Sequence, residues 1–207
     1  MRYSLCVYAS SSQTLAEEHY QAAAEMGRAM GKLGFDLVFG AGQVGTMGVI
    51  AEAVQKEGGS VTGVIPERLN LKGVVYERCN SLIVTPDMRS RKRKMEELAD
   101  GFLAMPGGFG TLEELLEIIT GKQLGYHQKP IVIYNLNGFY DLLLKQFQKN
   151  IRENFAKPIH ENLYYVSDNA QEALHYFKSY CPQPIEPKWN GYNAVRKLLF
   201  MKDFSRH

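Results

Sequence analysis

Short apolar runs alternate with longer amphipathic stretches from residue 5 to about residue 180. Runs at 5–8, 37–39, 61–65, 82–84, 102–105, 131–134 and 163–166 predict strands. Several of them are apolar almost throughout, as parallel strands covered on both faces require. The intervening periodicity predicts helices over about 15–33, 48–57, 89–98, 112–119, 140–150 and 170–180. In the first of these Ala22, Met26, Ala29, Met30 and Leu33 recur on one side, the stripe of a helix lying on a sheet, and Gly34 is a natural C-cap. Strand and helix in regular alternation imply an α/β fold: a doubly wound, Rossmann-like parallel sheet flanked by helices on both faces.

The pattern changes after Cys181. CPQPIEPKWNG carries three of the eight prolines and the only Trp, which predicts extended chain lying over the domain, then a last short helix at 195–200. A length of 207 residues suits one well-buried core. The expected organisation is therefore one Rossmann-like domain at 1–180 with an extension at 181–207 packed on it.

Charge narrows the partners. Lys plus Arg total 24 against 22 for Asp plus Glu, a formal charge of +2, which does not call for nucleic acid. The basic knot RSRKRK at 89–94 lies inside a helical pattern in which Met88, Met95 and Leu98 recur, so it reads as the solvated face of a helix whose methionines are core. Cys6, Cys79 and Cys181 are an odd set with no close pair, which fits a reducing compartment and offers no thiolate metal site. Cys6 itself reads as core. No apolar run approaches the roughly 20 residues that cross a bilayer, and MRYSLCVYASS reads as a first strand and not as a signal peptide. A cytoplasmic protein with no membrane partner is expected.

Candidate chemistry gathers where a doubly wound sheet binds ligands, beyond the carboxyl ends of its strands. FGAGQVGTMG at 39–48 places Gly40, Gly42 and Gly45 after the second strand, either as a tight turn or as a loop that lets a phosphate or ribose approach the backbone. PGGFGTLEE at 106–114 follows the fifth strand. There Gly107, Gly108 and Gly110 permit converging amides, and Thr111 with Glu114 matches a capping box at the start of a helix. The same geometry would seat a phosphate, with the helix dipole favouring negative charge. Glu113 and Glu114 diverge by about 100°, so one of them at most faces such a ligand. Arg91, in the first turns of the helix after SLIVT, is better placed than Arg93 or Lys94 to meet an anion. The chain lacks GxxxxGK[ST], GxSxG and HExxH, which argues against a P-loop enzyme, a serine hydrolase and a zinc enzyme.

These segments resemble the LOG ("lonely guy") family, phosphoribohydrolases that release cytokinin bases and were long mislabelled as lysine decarboxylases. The family pattern PGGxGTxxE is met at Pro106, Gly107, Gly108, Gly110, Thr111 and Glu114, with Phe109 between the glycines. Its companion is met at Met88, Arg91, Lys92 and Met95, followed by LAD at 98–100. Likeness extends to Ser10 and Ser11, to 58–66, to TGKQLGYHQKP at 120–130 and to 135–144, and so covers about residues 1–180. Ala41 and Thr46 depart from the Gly and Leu usual in the family.

The resemblance implies hydrolysis of the N-glycosidic bond of a nucleoside 5'-monophosphate, giving a free base and ribose 5-phosphate, with no cofactor and no metal. It implies Glu114 and Arg91 as the catalytic pair. Substrate-binding positions are expected at Ser10, Gly42, Gly45, Met88, Lys92, Gly107, Gly108, Phe109, Gly110 and Thr111. It also implies a homodimer in which Gln123 and His127 help complete the partner's site; on its own, His127 reads as structural or interfacial. Proximity of Arg91 is expected to lower the Glu114 pKa. Two other classes compete with this reading. One is a nucleotide-binding carrier or sensor without turnover. The other is a pyridoxal-dependent decarboxylase, for which no lysine has a compelling setting.

Overall fold

A computed structural model describes residues 2–183; the extension expected beyond them, including the helix at 195–200, lies outside the described residues. The predicted strands form as β1 (Tyr3–Tyr8), β2 (Phe35–Phe39), β3 (Val61–Pro66), β4 (Ser81–Thr85), β5 (Gly101–Ala104), β6 (Ile131–Tyr134) and β7 (Tyr165–Ser167). Between them run α1 (Glu17–Lys32), α2 (Gly45–Lys56), α3 (Met88–Leu98), α4 (Phe109–Gln123), α5 (Asp141–Arg152) and α6 (Ala170–Ser179). Most boundaries fall within two residues of expectation; α2 and α4 differ by more. α2 opens three residues early, at Gly45, and α4 runs from 109 to 123 where 112–119 was expected. The last strand begins at Tyr165 because Pro158–Leu163 forms a 3₁₀ segment.

The strands form one parallel sheet in the order β4-β3-β2-β1-β5-β6-β7. The chain winds outward from β1 to β4, returns through α3 to β5 on the other side of β1, and winds outward again to β7. This is the doubly wound Rossmann-like arrangement, with its switch point between β1 and β5.

Both faces of the central strands are covered, while the edge strand β4 is largely exposed. On one face, Leu5, Leu37, Leu103 and Val132 pack against Met26, Met30, Val54 and Phe177 of α1, α2 and α6. On the other, Cys6, Val38, Phe102 and Ile133 pack against Met95, Leu115, Ile118 and Tyr140 from the side of α3, α4 and α5. The uninterrupted apolar runs of β5 and β6 are thus explained, since every residue of both strands is buried. Met88 departs from its expected core role: it is 45 % exposed, whereas Met95 is buried. Among the described residues no helix is long and apolar enough to cross a membrane.

One lysine has an unexpected setting. Lys122, near the end of α4, is buried, and its Nζ has no hydrogen-bond partner among the described residues, only the face of the Tyr180 ring 4.9 Å away. Burial pulls its pKa down to about 8 from an ordinary 10.5. A depressed amine pKa means the unfolded chain binds the extra proton, so stability is lowest below about 8 and rises with pH toward 10.5. Lys122→Met is expected to raise the melting temperature at pH 7 and to flatten the rise between pH 8 and 10. An unchanged melting profile would show that the charge is solvated.

Candidate active site

The first turns of α3 and α4 meet at the carboxyl end of the sheet, beside the switch point. A cavity of about 560 Å³ opens there, lined by Ser10 and Ser11 after β1, Met47 of α2, Met88 and Arg91 of α3, and by Gly108 to Thr111, Glu113 and Glu114 at the start of α4.

The floor is set by the turn after β1. The Thr46 hydroxyl accepts from the Ser10 amide at 3.0 Å, and the Ser10 carbonyl accepts from the Met47 amide at 3.2 Å. Gly45 has φ +68°, and a Cβ there would collide with the Ser10 carbonyl. A Cβ on Gly42 would likewise overlap the Met47 side chain. Gly42 and Gly45 therefore serve the close packing of the start of α2, and neither lines the cavity. Ala41 occupies a left-handed conformation, φ +56°, in the core.

The second cluster works differently. Helix α4 begins at Phe109 with Gly108 as its N-cap, so Thr111 is not the capping residue and the expected capping box with Glu114 does not form. Thr111 lies one turn inside; its buried hydroxyl donates to the Ala9 carbonyl at 3.2 Å and pins α4 to the end of β1. Gly107 is required by that contact, since a Cβ would overlap Thr111. Gly108 and Gly110 are not crowded: a Cβ on either meets nothing within 4 Å, and neither has a positive φ. What their missing side chains leave is open space above the amides of Phe109, Gly110 and Thr111, which precede the first helical bond, from the Leu112 amide to the Gly108 carbonyl.

Because α4 starts early, Glu114 stands in its second turn. It is buried, and its carboxylate accepts a charge-assisted hydrogen bond from Nη1 of Arg91. Arg91 is itself threaded under the sheet, with Nε donating to the Val64 carbonyl at 3.4 Å and Nη1 reaching Met88 Sδ at 3.8 Å. Burial raises the Glu114 pKa above the ordinary carboxylate value, and the Arg91 cation only partly offsets it. The expected lowering is thus reversed, because desolvation of a carboxylate this deep outweighs one guanidinium partner.

Glu113 also reaches the cavity wall, so both neighbouring acids border it, but its carboxylate is engaged. It pairs with Lys92, whose Nζ also lies 2.7 Å from Glu117. Lys92 is consumed by these two carboxylates and does not line the cavity. Gln123 and His127 are also elsewhere. Gln123 bonds His160 at 2.9 Å. His127 Nε2 lies 2.9 Å from the Ile118 carbonyl while its Nδ1 faces the Lys129 amide at 3.2 Å. A carbonyl only accepts and an amide N–H only donates, so the ring is the neutral Nε2–H tautomer. Burial lowers its pKa accordingly. Of the expected site residues, the fold brings Ser10, Met88, Arg91, Gly108, Phe109, Gly110, Thr111 and Glu114 to one cavity. Gly40, the first glycine of the FGAGQVGTMG loop, does not line the cavity but lies against the Arg91 guanidinium.

Residues 47–177 match a family model described as "Possible lysine decarboxylase". A probable cytokinin riboside 5'-monophosphate phosphoribohydrolase of Oryza sativa subsp. japonica is 37 % identical over 96 % of this chain and 79 % of its own. A cytokinin riboside 5'-monophosphate phosphoribohydrolase of Arabidopsis thaliana is 38 % identical over 86 % of this chain and 82 % of its own. Among solved structures, the molybdenum cofactor carrier protein of Chlamydomonas reinhardtii superposes with a TM-score of 0.65 at 18 % identity, covering 86 % of this chain and 97 % of the carrier, a likeness of fold alone. With the family model spanning most of the chain and relatives this similar along nearly all of it, the chain belongs to the LOG family, the lysine-decarboxylase-like phosphoribohydrolases.

Proposed function

We propose that the protein hydrolyses the N-glycosidic bond of an adenosine 5'-monophosphate of the cytokinin type, releasing the free base and ribose 5-phosphate. The observation that carries this reading is one cavity holding both open helix amides and a buried, Arg-paired carboxylate. The phosphate lies against the amides of Phe109 to Thr111, where the helix dipole and unpaired N–H groups favour an anion. The ribose then reaches toward Glu114.

As the C1'–N bond breaks, its electron pair leaves with the base and positive charge builds on C1' and the ring oxygen. Glu114 stabilises that charge and takes the proton of the water whose oxygen bonds to C1', while the departing base gains one proton, so hydrolysis releases no net proton. Arg91 holds the carboxylate in place and favours its ionised form against the pull of burial. Met88 and Phe109, both exposed at the rim, offer apolar surface to the base.

The decarboxylase reading finds no support in Lys122. That lysine lies eleven residues beyond Thr111 on α4, roughly 16 Å along the helix, and it does not line the cavity. Association as a homodimer is part of the proposal. It is favoured by Leu116, Leu124 and Tyr126, apolar side chains exposed beside His127 around one groove. Sedimentation at micromolar concentration should give twice the chain mass, and a monomer there would remove this part.

The test is base release from AMP and from isopentenyladenosine monophosphate, each beside its unphosphorylated nucleoside. The nucleotides are expected to turn over at least about 10²-fold better in kcat/KM, the scale of a well-placed charge-assisted contact. Equal turnover of nucleoside and nucleotide would remove the anion site. Tight AMP binding without any base release would instead favour a carrier.

Gly110→Ala separates the two uses of that turn. Alanine is the better helix former, so stability is expected to rise by about 0.5–1 kcal/mol. The new methyl would stand over the open amides, so KM for the nucleotide should rise. A variant both more stable and equally tight-binding would show that the glycine serves only the backbone.

A further inference from the structure

The turn after β2 places its residues against conformational expectation. Ala41 adopts the left-handed backbone that favours glycine, while Gly40, immediately before it, is not among the residues with positive φ. Nothing in the backbone therefore asks for glycine at 40. The space does. A Cβ there would overlap Arg91 Nη2 and lie 3.0 Å from Cζ, so the guanidinium occupies the volume that any side chain would fill. With the Val64 carbonyl accepting from Nε on the neighbouring strand, the clearance at Gly40 leaves Nη1 directed at Glu114.

We propose that Gly40 is a positioning residue: the missing side chain at the end of β2 forms the slot that aims Arg91 at Glu114. The inference rests on the catalytic reading of that pair given above. It adds the residue immediately after β2, a strand that contributes nothing to the cavity lining. The obstructed atom is the far end of a flexible side chain, so a methyl at 40 displaces the guanidinium and leaves the strand intact.

The consequence reaches the charge on Glu114. That carboxylate is faced by Arg91 and Lys92 from α3, by Cys6 and Tyr8 from β1, and by Glu113 on its own helix. Arg91 is the strongest of these in holding the pKa down. A displaced guanidinium lets burial dominate further, and the acid limb of the rate profile moves to higher pH.

The experiment uses the full chain with Gly40→Ala, Arg91→Ala and the double variant, with AMP as the probe. Gly40→Ala is expected to keep its melting temperature within a few degrees and to lose on the order of 10² in kcat, the cost of a misplacement of about 1 Å. Its acid limb should shift upward, which a merely structural glycine would not produce. The double variant should be no slower than Arg91→Ala alone, because the slot matters only through the group that fills it. Multiplying losses, or an unmoved acid limb, would overturn the proposal. A crystal structure of Gly40→Ala gives a readout independent of turnover: Arg91 still bonded to Glu114 sinks the slot whatever the activity. Full activity in Arg91→Ala, with the guanidinium displaced in the Gly40→Ala crystal, would instead sink the catalytic reading and leave the slot standing.

Discussion

Glu114→Gln is expected to lower kcat by roughly 10²- to 10⁴-fold, the usual contribution of a positioned acid or base. The fold should be undisturbed. An amide of the same shape keeps an oxygen for the Arg91 guanidinium, so the buried hydrogen bond persists while the negative charge goes. What is lost is the stabilisation of positive charge at C1' and the acceptor for the proton of water. KM for the nucleotide should change little, since the phosphate is held by the first turn of α4 and not by the carboxylate. The measurement is steady-state release of adenine from AMP beside a thermal melt. Near-parental kcat in a folded variant would reject Glu114 as the catalytic group.

Arg91→Ala should be costly in two separable ways. Both side chains of the pair are nearly inaccessible, 12 % and 11 % exposed, so removing the cation strands a carboxylate away from water. Breaking such a pair typically costs about 3–5 kcal/mol when burial is complete. The cost here should be pH-dependent with a definite sign. Without Arg91 the folded-state pKa of Glu114, already raised by burial, rises further above the unfolded value of about 4.3. The folded state then binds the extra proton. Stability is therefore fully present below about pH 4.3 and is lost as pH rises through the folded pKa. Urea titrations of Arg91→Ala should show the deficit growing from pH 4 upward. Adding Glu114→Gln should recover most of it, because the stranded charge is gone. A deficit independent of pH, or one that Glu114→Gln leaves in place, would mean that Arg91 stabilises the fold by packing alone. In activity, the acid limb of kcat/KM should move upward in Arg91→Ala for the same reason.

The two glycine clusters look alike in sequence and differ in use. At 40–48 the glycines resolve collisions: with the Ser10 carbonyl at Gly45, with Met47 at Gly42 and with the Arg91 guanidinium at Gly40. At 108 and 110 they resolve none, and they leave amides open to the cavity. Spacing is blind to this difference, since a GxGxxG string records where Cβ atoms are absent and not what fills the space. The capping-box expectation failed for a related reason. Thr111 and Glu114 have the right separation, yet α4 starts at Phe109, and a buried bond to Ala9 and an ion pair with Arg91 claim both side chains.

By itself the sequence determined the α/β class, the seven strands and the place of the PGGFGTLEE turn at the sheet's carboxyl edge. Those follow from periodicity and from chain order, which are local properties of the polymer. Only the tertiary structure decided that Arg91 and Glu114, 23 positions apart, form a buried pair, that Lys92 is engaged by Glu113 and Glu117, and that the Lys122 amine is buried with no hydrogen-bond partner among the described residues. It also reversed the expected sign of the Glu114 pKa. A pKa is set by the balance of desolvation against Coulomb attraction, and both depend on how many atoms from distant parts of the chain exclude water around one carboxylate.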